Sequence, residues 1–279
     1  MASKSVLITG CSTGIGRATA EHLAARGRTV YATARKLEDI ADLEAKGCRL
    51  LRLDVTDEAS MAAAVGAVES AEGAVGALVN NAGYSQSGAV ETVQMDSVRR
   101  QFETNVFGLM RMCQLVLPGM REAGAGRIVN VSSMGGKLVF PGGGVYHATK
   151  HAVEALSDAL RFEVAGFGVD VVIIEPGLIL TNFGEAAVAS FEGTENTGPY
   201  AEFNGAVAKV TASAYDGPMA KLGGGPETVA KAIEKAITKR RPKTRYTVTA
   251  SAKLTLGMRK VVPDRGWDAM MKSNFPRPG

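Results

Sequence analysis

Ser5-Val6-Leu7-Ile8-Thr9-Gly10-Cys11-Ser12-Thr13-Gly14-Ile15-Gly16 is the stretch on which the fold of this chain turns. Its first half is a run of β-branched and aliphatic residues, the composition of a short strand buried on both faces. Gly10, Gly14 and Gly16 follow, and residues 17–26 are helix formers that end at Gly27. Strand, glycine turn and helix start together make a site for a diphosphate. Unpaired backbone N–H groups and the helix dipole point at the anion, and the missing side chains let it come close. The spacing is Gly-x-x-x-Gly-x-Gly, which departs from the Gly-x-Gly-x-x-Gly of the generic dinucleotide fingerprint.

Outward from this stretch, aliphatic runs recur at residues 29–33, 49–53, 77–81, 127–131 and 169–174, with helical segments between them. The alternation predicts an α/β fold, a doubly wound parallel sheet of Rossmann type, in a single domain spanning 1–279. A helix is expected over 226–238 and a last strand over 246–249, and a broken helical stretch over 254–271 lies within a C-terminal tail at 251–279. Between 178 and 225 the pattern loosens into Gly, Ala, Ser and Thr interspersed with Phe183, Phe191, Tyr200, Phe203 and Tyr215. This segment reads as a substrate lid.

Bulk properties narrow the function classes. Hydrophobic residues make up 46% of the 279, as in a soluble globular protein, and no apolar run approaches the ~20 residues that cross a bilayer. The first residues lack the apolar segment of a signal peptide. Cys11, Cys48 and Cys113 are too scattered for a disulfide framework or a metal cluster, which points to a reducing cytoplasm; Cys11 reads as a small filler of the glycine turn. His147 and His151 have no further ligand nearby, so no metal is expected. The net charge is +4, and basic residues concentrate in Lys239-Arg240-Arg241-Pro242-Lys243-Thr244-Arg245. Without interleaved aromatics that run reads as a solvated connection between helix and strand, not a nucleic-acid or membrane contact.

The chemistry lies in Gly144-Val145-Tyr146-His147-Ala148-Thr149-Lys150. Tyr146 and Lys150, four apart, share a helix face, and both side chains titrate near ~10 when unperturbed. A nearby cation favours the phenolate and makes Tyr146 a usable proton carrier. Doubly wound sheets bind ligands outside the carboxyl ends of their strands. Ser133 follows the run at 127–131, Asn81 ends the run at 77–81, and Tyr146 opens a helix after Pro141-Gly142-Gly143-Gly144, so all three can reach one crevice. The second strand ends in Thr33-Ala34-Arg35, with no carboxylate for the 2'-hydroxyl of NAD and a guanidinium suited to the 2'-phosphate of NADP.

On these residues the chain resembles the short-chain dehydrogenase/reductase family, whose glycine motif is the Thr-Gly-x-x-x-Gly-x-Gly seen here from Thr9 to Gly16. Asn80-Asn81-Ala82-Gly83 is similar to the family's Asn-Asn-Ala-Gly, Asn105 to its helix asparagine, and Ser133, thirteen residues before Tyr146, to its serine. Pro176-Gly177 with Thr181 is similar to the element that closes over nicotinamide. Tyr31-Ala32-Thr33-Ala34-Arg35 and the segment around Tyr146 look most like the hydroxysteroid and retinol dehydrogenase branch.

The resemblance implies an NADP(H)-dependent oxidoreductase moving a hydride between nicotinamide and a lipophilic ketone, aldehyde or secondary alcohol, of steroid, retinoid or lipid type. Ser133 would position the substrate oxygen, Tyr146 exchange its proton, Lys150 hold the nicotinamide ribose and tune Tyr146, and Asn105 hold a relay water. Cofactor contacts are implied for Gly10, Ser12, Thr13, Gly14, Ile15, Gly16, Arg35, Asp54, Val55, Asn81, Ala82, Gly83, Tyr146, Lys150, Pro176, Gly177, Ile179 and Thr181. Beside Ser133, the expected substrate walls are Tyr84, Met134, Leu138, Val139, Phe140, Val145, Leu178 and Phe183, with Lys137 snorkelling at the rim. A homodimer or homotetramer is implied as well. Two other readings use the same residues. One is a non-catalytic NADP(H)-sensing protein, which has no chemical reason to keep Asn105, Ser133, Tyr146 and Lys150 together. The other is an epimerase or dehydratase, which would carry a longer substrate domain and a different glycine spacing.

Overall fold

In the computed structural model, residues 3–191 and 198–278 are described. In chain order the first half contains β1 (Ser5–Ile8), α1 (Gly14–Ala25), β2 (Thr29–Ala34), β3 (Arg49–Arg52), α2 (Glu58–Glu72), β4 (Ala77–Asn80), α3 (Met95–Phe102), α4 (Gly108–Glu122) and β5 (Gly126–Val131). The second half adds α5 (Gly144–Val164), β6 (Val169–Pro176), α6 (Phe183–Ala189), α7 (Ala201–Asp216), α8 (Pro226–Thr238), β7 (Arg245–Val248), α9 (Ala250–Val261) and α10 (Asp264–Lys272).

All four residues of β1 are buried, because helices cover both faces of a central parallel strand and leave no solvent face to alternate toward. The seven strands run parallel in the order β3-β2-β1-β4-β5-β6-β7. On one face, Ala20 and Leu23 of α1 pack with Val229, Ile233 and Ala236 of α8. On the other, Met61 and Val65 of α2 meet Met112 and Val116 of α4 and Val153 of α5. Strand order reverses between β1 and β4, and right-handed crossovers leave a crevice above their carboxyl ends there.

The strands and α8 fall where the apolar runs predict, with ends moved by a residue or two. The segment at 178–225, read as a lid where the pattern loosens, holds α6 and α7; residues 192–197 of that span lie outside the described residues. Ala, Gly, Ser and Thr along α7 blur the 3.6-residue period by which helices are recognised. The broken tail is two helices, α9 and α10, interrupted at Pro263, whose ring cannot continue a helix and suits the start of the next. No helix of the described residues is long and apolar enough to cross a membrane.

Candidate active site

Thr9, at the end of β1, fixes the floor of the crevice. Its Oγ1 accepts hydrogen bonds from the backbone N–H of Asn81 and of Ala82, each at 3.0 Å, so the ends of β1 and β4 are tied at the reversal point. Asn81 Nδ2 donates to the carbonyls of Thr9 (3.0 Å) and Gly10 (2.9 Å). Gly10 has φ +74°, a left-handed conformation that favours glycine, and a Cβ there would lie 3.0 Å from Ala82 Cα. Gly16 is buried beneath the turn, where a Cβ would run into the Gly10 carbonyl oxygen and Asn81 Nδ2. Its role is to let α1 approach the strand ends, and it does not line the crevice.

A cavity of about 1160 Å³ opens above this floor. Along one part lie Gly10, Ser12, Thr13, Gly14, Ile15, Arg35, Asp54, Val55, Asn81, Ala82 and Gly83, with Pro176, Gly177, Ile179 and Thr181 farther along. Arg35 is exposed just past β2. Asp54 Oδ1 accepts from Thr56 N (3.0 Å) and Thr56 Oγ1 (2.8 Å), so one of its oxygens serves the turn that shapes this end.

Ser133, Tyr146 and Lys150 line the same cavity. The Tyr146 ring lies 5.6 Å from the rings of both His147 and Phe183. Burial pushes its phenol up from the ordinary value; a hydrogen bond with Ser133 opposes this, and nearby Tyr215 adds to it. That direction is the reverse of the one expected from Lys150. The ammonium donates to the Val131 carbonyl at 2.9 Å and sits 5.8 Å from the Tyr146 ring centroid, so desolvation outweighs its attraction for a phenolate. Burial lowers Lys150 itself to about 8, against the pull of the Glu154 carboxylate one helical turn on.

Glu154 is buried and lies 3.1 Å from Arg245 Nε and 3.7 Å from Lys137 Nζ. Lys137 is therefore turned toward Glu154 and Glu175, behind the active-site wall, rather than snorkelling at its rim. Arg245, the last residue of the basic run, is likewise part of the fold, while Lys239, Arg240, Arg241 and Lys243 are exposed.

Asn105 sits in a π-helical turn, Glu103–Phe107, a local widening common at functional sites. Its Nδ2 donates to Tyr84 O (2.9 Å) and Thr149 Oγ1 (3.1 Å), and its Oδ1 accepts from Tyr84 N (3.1 Å). The amide thus holds the chain after β4 against α5, buried and off the cavity wall. His147 has a larger part than a wall residue. Phe140 N donates to Nε2 at 3.1 Å, which leaves Nδ1 to donate to Gly135 O at 3.0 Å. Burial lowers this imidazole to about 4, so it stays neutral and pins the loop that presents Ser133. A second buried link, Asn80 Nδ2 to Asn130 Oδ1 and Asn130 Nδ2 to Ser157 Oγ, each 2.9 Å, joins β4, β5 and α5 below the site.

Of the expected substrate walls, Tyr84, Met134, Phe140, Leu178 and Phe183 line the cavity. Leu138 and Val145 are buried elsewhere, and Val139 is 47% exposed. Val145 precedes Tyr146 on α5, and a step of one residue turns the side chain to another face. Tyr215, one of the aromatics of the expected lid, lines the cavity too, while walls that the sequence did not single out come from α6 and α7, among them Ala186, Val207, Val210 and Ala214, and from Thr255 and Phe275 of the tail. The periodicity of those on helices is that of ordinary helices, which gave no signal of a wall. Cys11 and Cys113 are buried and pushed up to about 12, which keeps both thiols unreactive at neutral pH. Among the described residues no group of three or more His, Cys, Asp or Glu side chains could hold a metal ion.

Known proteins are similar to this chain in sequence and fold. The oxidoreductase YusZ of Bacillus subtilis is 35% identical over 285 residues, covering 99% of both chains. An NADPH-dependent 3-dehydrocapnine reductase of Ornithobacterium rhinotracheale is 34% identical, covering 97% of both. Among solved structures, a short-chain dehydrogenase from Streptomyces avermitilis superposes with TM-score 0.79 at 36% identity, over 97% of this chain and 96% of that one. The closed form of serine dehydrogenase complexed with NADP+ gives 0.76 at 27%, over 88% and 94%. The sequence pattern of the short chain dehydrogenases matches residues 4–190, a span that runs from β1 through the glycine turn, Ser133, Tyr146 and Lys150 to the end of α6. The chain belongs to the short-chain dehydrogenase family of oxidoreductases.

Proposed function

We propose that this protein is an NADP(H)-dependent oxidoreductase that moves a hydride between nicotinamide and a lipophilic ketone, aldehyde or secondary alcohol. The observation that carries the reading is that one cavity joins Ser133, Tyr146 and Lys150 to the glycine turn and Arg35. A dinucleotide fits the cradle, since a side chain at Gly10 would crowd Ala82 and β2 runs out in Thr33-Ala34-Arg35, without a carboxylate at its tip to repel a 2'-phosphate. The NADPH in the reductase relative's name and the NADP+ in the serine dehydrogenase complex support the same choice.

When bound, the cofactor supplies or accepts the hydride. The chain's own groups handle the oxygen. Reduction of a carbonyl builds negative charge there, and the Ser133 and Tyr146 hydroxyls are two donors that can stabilise it. Tyr146, kept protonated by burial, has the proton to give; the Lys150 ammonium stabilises the phenolate left behind. Met134, Phe140, Leu178, Phe183, Val207 and Val210 make the substrate end largely apolar, which favours a lipophilic partner at about 0.8 kcal/mol per buried methylene. In this reading α6 and α7 form the lid over the substrate, and the C-terminal tail closes its side. Phe162 on α5 is 89% exposed and Met110 on α4 37%, apolar surface that supports self-association as a homodimer or homotetramer.

NADPH oxidation with steroids, retinoids, long-chain aldehydes, neutral ketones of increasing length, sugars and carboxylated analogues tests the reading. kcat/KM should rise with apolar length. A preference for sugars or small acids would reject the lipophilic class, and NADPH binding without turnover of any member would favour the sensing protein. For the cofactor, Arg35→Ala should lower NADPH affinity by about 10-fold to 100-fold, the worth of a charge-assisted hydrogen bond, and leave NADH affinity nearly unchanged. Equal binding of NADH and NADPH by the unmodified protein would reject the assignment.

A further inference from the structure

Tyr215, on α7, lines the cavity with Tyr146 and Phe183. Its ring is seated against α6: a Cβ on Gly184 would fall 2.6 Å from Tyr215 Cδ2 and 2.7 Å from Cε2. The neighbour of that glycine, Phe183, lies with its ring 5.6 Å from Tyr146. Two phenols therefore share the reacting end of the cavity, near enough for Tyr215 to raise the pKa of Tyr146. Burial raises Tyr215, so its hydroxyl stays protonated and can act as donor or acceptor. Around it the same helices present Ala186, Ala187, Val207, Val210 and Ala214, with Thr211 the other hydroxyl of α7 on this wall.

Ser133 and Tyr146 already supply two hydroxyls to the reacting oxygen. A phenol hydroxyl in a largely apolar wall brings nothing to a plain hydrocarbon substituent, and it is left unpaired if such a substituent excludes water. We propose that Tyr215 is a specificity-determining residue whose hydroxyl bonds a second polar group of the substrate, on the carbon beside the reacting carbonyl or the one beyond it. The substrate class narrows to lipophilic carbonyl compounds that carry a hydrogen-bonding substituent next to the carbonyl. This rests on the reductase reading above.

Tyr215→Phe keeps the ring against Gly184 and removes only the hydroxyl. kcat/KM with NADPH is measured for a long-chain methyl ketone and for two chains of equal length, one with a hydroxyl on the carbon beside the carbonyl and one with it on the carbon beyond. The unmodified enzyme should prefer a hydroxyketone. The variant should lose about 10-fold to 100-fold more on that hydroxyketone than on the methyl ketone, with NADPH affinity read in parallel by fluorescence titration. A parallel loss on all three ketones, or no loss on the hydroxyketones, would overturn the assignment and leave Tyr215 a packing residue. Wild-type rates test the reductase reading, and the ratio of variant to wild type tests Tyr215. No turnover of any of the three by the unmodified enzyme would overturn both.

Discussion

Tyr146→Phe should bind NADPH with near-native affinity and turn over any carbonyl compound that the unmodified enzyme reduces about 100-fold or more slowly. The substitution keeps the ring between His147 and Phe183, at 5.6 Å from each, so the wall of the cavity is preserved. What it removes is the proton. Burial holds the Tyr146 phenol above its ordinary pKa, which makes it a loaded donor at neutral pH, and Ser133 alone cannot supply a second one. Steady-state rates and a cofactor titration on the same preparation check the result. Near-native turnover would show that the proton comes from elsewhere and would reject the mechanism.

Lys150→Met should damage turnover comparably, by about 100-fold or more, and weaken NADPH binding as well, because the ammonium serves both the ribose and the phenolate in the proposed chemistry. Its effect on stability has the opposite sign. Burial lowers Lys150 from its ordinary 10.5 to about 8, so between these values the unfolded chain binds a proton that the folded one has released. Stability contributed by this group therefore rises with pH across that window, and at pH 7 the buried charge costs on the order of 1–3 kcal/mol. Without cofactor, the methionine variant should be the more stable protein at neutral pH, with the gap closing as pH climbs through the window. Urea unfolding of both proteins at pH 7 and pH 10 measures it. A variant less stable at pH 7 would show that the bond from Lys150 to the Val131 carbonyl outweighs the desolvation of its charge.

The sequence by itself determined the frame and the reacting groups. The apolar runs set seven strands, and the turn at Gly10 to Gly16 set where the sheet binds its ligand, because a left-handed backbone at Gly10 and the tight approach at Gly16 are demands that glycine alone meets. Tyr146 and Lys150 could be paired on paper since four residues make one helical turn. The directions in which these groups titrate were settled by tertiary structure alone. Whether Lys150 or desolvation governs Tyr146 depends on how much protein covers the phenol, and part of that cover is the ring of Phe183 on α6, some forty residues away. The same holds for Lys137, drawn to Glu154 and Glu175 from separate elements, for His147 locked between Gly135 and Phe140, and for Tyr215 beside Tyr146. Backbone geometry and residue spacing are local and can be read along the chain; burial and charge–charge distance are sums over segments that only the folded sheet and its helices bring together.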